Sequence, residues 1–144
     1  MSTVPSPSPN GLDFRIIVET PLRKFVPWLM IVLLITAAGQ PGVVCVTPMA
    51  WLLALRVGNI VVWRSRSDQS SRRLTEAAMA GGFFGVLQGI LFAAITPFMG
   101  PIQADEWTKT ITLMLTIFIV GIFAGASLSF FTAYLNEQRR KGTH

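Results

Sequence analysis

Four long apolar runs leave this chain few architectures to choose from. They cover residues 25–38, 43–63, 77–96 and 110–135 of 144. A helix that crosses a bilayer needs about 20 apolar residues, with a lower limit near 17. The second, third and fourth runs meet that length directly, and the first reaches it if the helix starts at Leu22. Only 13% of the residues are charged, against about 25% in soluble domains. The reading is an all-α integral membrane protein: a bundle of four transmembrane helices in two hairpins.

Proline and glycine punctuate the runs. Gly39-Gln40-Pro41-Gly42 predicts the first hairpin turn, with Thr47-Pro48 as an alternative position, and Pro97, Gly100 and Pro101 end the third run. Pro27 suits a first helical turn, where its missing N–H is harmless. Pro48 predicts a kink or a late helix start in the second run. Residues 64–76, RSRSDQSSRRLTE, read as a polar loop, with Thr75 and Glu76 serving the N-terminal turn of the third helix. Trp107 and Tyr134 bracket the fourth run as interfacial anchors.

The flanks carry their own signals. Residues 1–10, rich in Ser and Pro, read as a disordered tail rather than a signal peptide, since they carry three prolines and no basic residue. Residues 11–24 mix Leu12, Phe14, Ile16 and Ile17 with Asp13, Arg15 and Glu19, too charged to span. An interfacial amphipathic segment ended by Pro21 is expected there. Residues 136–144 form a short basic tail.

Orientation follows from the cations. Arg15, Arg23 and Lys24 precede the first run; Arg64, Arg66, Arg72 and Arg73 lie between the second and third; Arg139, Arg140 and Lys141 follow the fourth. The opposite ends carry only Lys109. Positive charge stays inside, so both termini are expected in the cytoplasm, in a bacterial inner or cell membrane. The same placement makes a basic pI a topological signal rather than one for nucleic acid, and offers anionic lipid a contact at Arg64, Arg66, Arg72 and Arg73.

The third run carries Gly81, Gly85 and Gly89 at four-residue spacing, and the fourth carries Gly121 and Gly125. Lipid tails are as apolar as leucine, so helices in a bilayer associate through close backbone contact, which small residues permit. This stripe serves either packing of the third helix on the fourth or docking of another subunit.

Arg56 is the one cation inside a run. It lies seven residues before Trp63, roughly 10 Å from that end of the helix. A charge at such depth costs on the order of 3 kcal/mol, and it reads as a structural snorkel or lipid contact, as a partner or ligand contact, or as transport chemistry. Asn59 shares its face, and Gln88 is the polar residue of the third run. No carboxylate is expected at the depth of Arg56; Glu76 is the nearest acidic candidate within the chain, shallower, with Gln88 or backbone carbonyls as other helpers.

The inventory excludes much chemistry. The seven acids all fall outside the runs, the single histidine is His144 and the single cysteine is Cys45. Cys45 therefore forms no intrachain disulfide. A proton- or cation-coupled transporter usually needs an intramembrane carboxylate. No catalytic residue, cofactor or metal site is expected. Ser127 and Ser129 lack a base and read as packing or hydrogen-bonding residues. The leading expectation is a non-catalytic accessory subunit of a larger membrane complex, in contact with the bilayer and with other integral subunits or itself. The rival is a self-assembling channel or transporter with Arg56 and Asn59 along its path.

Overall fold

A computed structural model describes residues 12–37, 42–65, 69–95 and 107–142, with 42–48 as backbone only. The tail 1–10, most of the Gly39–Gly42 turn, Arg66, the proline-rich end of the third run, Asp105, Glu106 and His144 lie outside the described residues, as do the side chains of Cys45 and Pro48. Four helices run in chain order: α1 Phe14–Ala37, α2 Gly42–Arg64, α3 Ser70–Ile95 and α4 Trp107–Lys141. Two of them, α3 and α4, are long and apolar enough to cross a membrane.

Each helix extends beyond its apolar run, and the reasons are local. Asp13 starts α1: its carboxylate accepts the N–H of Ile16 at 3.3 Å, while its carbonyl accepts that of Ile17 at 3.2 Å. The helix then runs unbroken through Pro21 and Pro27. The expected break at Pro21 is not there, and the amphipathic segment and the first apolar run are one helix. Each proline withdraws one hydrogen bond, from the carbonyls of Ile17 and Arg23, and packing compensates. Pro21 is fully buried, and Trp28 beyond it is 2% exposed. The second correction is at α3, which begins at Ser70 rather than Ala77, so Thr75 and Glu76 sit in its second turn. The Ser-rich stretch is polar because one side of it faces other helix ends. At the far end, α4 continues as a helix through Lys141, where Gly142 N–H closes the last turn on Gln138 at 3.1 Å. The backbone of α2 is helical from Gly42 past residues 47 and 48, so no turn interrupts it there.

The helices alternate in direction. Gly81 meets Gly125 and Gly85 meets Gly121, which sets α3 antiparallel to α4. Gly58 and Asn59 of α2 meet Ser129 and Asn136 of α4 in ascending order, which sets that pair parallel. Asp13 and Phe25 of α1 meet Glu76 and Phe84 of α3, again in parallel. Both α2 and α3 touch all three other helices, α3 the more extensively, whereas α1 and α4 do not touch among the described residues. Half of the most apolar stretch of α3 is buried inside the protein, against 6% of that of α4. One face of α3 bears alanine and glycine against α4 and α2, and Phe84 packs edge-on against Phe25 of α1 with ring centres 6.4 Å apart. Most of α4, including Ile111, Leu113, Leu115, Ile119, Val120 and Phe123, faces outward.

Candidate functional site

Three groups of residues distinguish this bundle from generic apolar packing. The first is the glycine crossing. A Cβ on Gly81 would collide with the Gly125 carbonyl and the Ser129 side chain, and one on Gly85 with the Gly121 backbone. A Cβ on Gly89 would strike the Phe118 ring, and one on Gly125 the Gly81 carbonyl. Gly121 itself has ordinary clearance, its nearest contact being the Gly85 carbonyl at 3.5 Å. The stripe is therefore occupied within the chain, by α4. Gly58, which the sequence pattern did not single out, does the same for α2, since its Cβ would meet the Ser129 backbone. Ser129, fully buried, donates its hydroxyl to the Ala54 carbonyl at 2.7 Å. Three helices thus converge on one serine.

The second group is a carboxylate cluster at the arginine-bearing end. Glu76 is 1% exposed. It accepts the Asp13 N–H at 3.1 Å and the Ser65 hydroxyl at 2.6 Å, with the Arg72 guanidinium 3.8 Å away. These contacts join the start of α1, the end of α2 and the start of α3. Glu137, 4% exposed, joins α4 to α3. Arg73 Nε lies 2.6 Å from its Oε1, with the N–H off the line to that oxygen, and Nη2 donates to Oε2 at 3.3 Å. Ser70 adds a longer contact at 3.4 Å. Glu19, more exposed, gathers Arg15 at 3.2 Å, Arg23 at 2.8 Å and Arg64 at 4.0 Å. Arg64, Arg72 and Arg73, expected to be available to anionic lipid, are thus each committed at least in part to a carboxylate. Glu76 is likewise not a counter-ion for Arg56, because Ser65, Asp13 and Arg72 occupy it. Nothing local in the sequence marks Glu137 as buried; its partner is 64 residues away.

The third group is a polar strip on the outer surface. Arg56, Asn59 and Trp63 lie along one exposed face of α2. Asn59 Oδ1 accepts the Trp63 indole N–H at 3.0 Å and the Asn136 amide at 2.8 Å. Arg140 of α4 stacks 4.5 Å above the Trp63 ring, a cation–π contact. Arg56 continues the strip toward the middle of α2, and its side chain has no ion pair or hydrogen bond among the described residues. Gln88, offered by the sequence as a helper for Arg56, is elsewhere. It is 6% exposed, and neither its Nε2 nor its Oε1 has a hydrogen-bond partner among the described residues. The sequence thus placed Arg56, Asn59 and Trp63 on one face, while Asn136 and Arg140 join them only through the α2–α4 contact.

No protein-family profile, curated protein or solved structure matches this chain.

Proposed function

We propose that this chain is a four-span membrane protein acting as a non-catalytic accessory subunit of a larger membrane complex. All four helices cross the bilayer in this reading, with both termini in the cytoplasm and α1 entering through an interfacial first turn. Supporting it are the alternating helix directions and the collection of arginines at one end, where α1 and α3 begin and α2 and α4 finish.

The observation that carries the partner is Arg56. An outward-facing guanidinium two-thirds of the way along α2 has lipid on its outer side unless another molecule covers it. Hydrocarbon disfavours it by about 3 kcal/mol. A carboxylate or a set of carbonyls on a neighbouring subunit removes that penalty and defines an orientation for docking. Asn59, already bonded to Trp63 and Asn136, is part of the platform beside it. The glycine stripe no longer argues for the partner, because α4 occupies it.

The test is purification of tagged protein in a gentle detergent or polymer disc, with identification of what comes with it. A larger integral membrane protein recovered with the wild type and lost with Arg56→Leu supports the proposal. A lone monomer from both overturns it. A homo-oligomer with Arg56 open to water transfers the weight to a self-assembling channel.

A further inference from the structure

Gln88 of α3 is buried without a hydrogen-bond partner among the described residues. Between α2 and α4, on the side away from the carboxylate cluster, a groove of about 260 Å³ is floored by α3. Gly85, Gln88 and Gly89 form its buried floor, Ala50 and the half-exposed Trp51 one wall, and the exposed Val120 the other. The floor is deep because the glycines lack side chains. Among the described residues the lining is almost wholly apolar, and Gln88 is its one deep polar residue, with both atoms of its amide covered. Toward the rim, the Thr116 hydroxyl is committed to the Thr112 carbonyl at 2.8 Å.

A buried primary amide without a partner is costly. Leaving one buried donor or acceptor unmade typically disfavours a state by about 1–3 kcal/mol. Hydrocarbon cannot satisfy it, and a lone water would find only Gln88 where buried waters need about 2–4 polar partners. Leucine or methionine would fit the same helix face without that penalty. The volume also exceeds the roughly 150 Å³ of an apolar cavity that holds benzene.

We propose that this groove binds a neutral, membrane-dissolved amphiphile whose single hydroxyl pairs with Gln88. The inference rests on α3 and α4 standing in lipid and is otherwise independent of any protein partner. Once the Gln88 side chain turns its covered amide toward the groove, a hydroxyl satisfies both halves: Nε2 donates to its oxygen, and its hydrogen is donated to Oε1. A lone carbonyl would leave Oε1 unpaired. A charged head is excluded because the lining holds no ion of either sign. The apolar body lies along Ala50 and Val120 and leaves between α2 and α4 into the bilayer. The occupant is therefore an alcohol or phenol on an apolar chain or ring.

The experiment uses the full chain in lipid nanodiscs with ¹⁵N-labelled glutamine side chains, titrated with 1-decanol or with decane at equal mole fraction. Five glutamines give five amide signals, and Gln88→Leu identifies the relevant one. The expected result is a saturable shift of the Gln88 signal with decanol and little with decane. A photoreactive analogue of decanol is expected to label wild type roughly three- to tenfold more strongly than Gln88→Leu, the effect of one net hydrogen bond. Ala50→Phe, which fills the groove from the opposite wall, is expected to remove the shift while leaving Gln88 in place. Equal responses to decanol and decane, or a decanol shift that survives Ala50→Phe, overturn the proposal. So does crosslinking through the groove to a second copy of the chain. A chain that stays out of the discs overturns the membrane setting and the proposal with it, which distinguishes the two failures.

Discussion

The hydroxyl of Ser129 on α4 donates to the carbonyl oxygen of Ala54 on α2 at 2.7 Å, while the backbone around the same serine leaves no room for a Cβ on Gly58. On its other side, Ser129 fills the space that a side chain on Gly81 of α3 would need. One small residue therefore sets the separation of three helices. Such contacts matter where burial of apolar surface gives no net drive for association.

Gly85→Leu is expected to prevent α3 and α4 from closing, because a Cβ there meets the Gly121 backbone, which cannot rotate away. Overpacking of this kind costs about 1–3 kcal/mol or more. Gly82→Ala, one turn away, makes only ordinary contact with Ala126 Cβ at 3.8 Å and Ile122 Cγ2 at 4.0 Å. It is expected to be neutral or stabilising by up to about 1 kcal/mol through helix propensity. Unfolding in mixed micelles followed by circular dichroism compares the two, and equal stability would contradict the crossing.

Ser129→Ala keeps the spacing and removes one interhelical hydrogen bond, which in membranes averages about 0.6 kcal/mol. Ser129→Leu enlarges the side chain at the three-helix junction. We expect the alanine variant to differ slightly from wild type and the leucine variant to unfold far earlier in the same assay. A leucine variant as stable as the alanine one would show that the junction is looser than described.

Glu137→Ala leaves the partly buried Arg73 without its carboxylate, and the expected loss lies below the roughly 3–5 kcal/mol of a fully buried pair but above about 1 kcal/mol. Arg23→Ala removes a pair with an exposed arginine and is expected to change stability by less than about 1 kcal/mol. The same unfolding assay separates them. If the two variants lose similar stability, the α3–α4 ionic contact is not a structural tie.

Arg56→Leu is expected to leave the isolated chain as stable as wild type or more so, since its side chain has no partner among the described residues and its charge is disfavoured in lipid by about 3 kcal/mol. A large loss of stability on this substitution would mean that Arg56 serves the bundle itself, and the partner would lose its motivating observation.

With Cys45 replaced by serine, a cysteine at the exposed Ser71 is expected to react with a membrane-impermeant maleimide only after cells are opened, and one at the exposed Thr108 while they are intact. The reverse pattern would invert the orientation.

Much of the helical layout was legible in the linear chain, because length and apolarity of a run are local properties. Residues 77–95 of the third run and 110–135 of the fourth sit within α3 and α4, and the small-residue stripe of α3 does lie on a contact face. The helix ends were less legible. Pro21 is a helix breaker in isolation, yet it lies inside α1, because packing around a proline compensates for one lost hydrogen bond. Ser70 to Glu76 read as loop because serine and arginine are polar, yet they are helical, because α1, α2 and α4 supply partners for that polarity.

By itself, the sequence determined that the chain is a set of long apolar helices with its positive charge at alternate ends, since both follow from solvation of individual segments. Tertiary structure decided which polar groups are satisfied. Glu76 and Glu137 are paired, while among the described residues Arg56 faces outward without a partner and Gln88 is buried beside a groove without a hydrogen bond. The physical reason is that a hydrogen bond or a glycine contact depends on residues tens of positions apart arriving within 3 or 4 Å of one another, as at Ser129 and Ala54, and no local period in a sequence encodes that meeting.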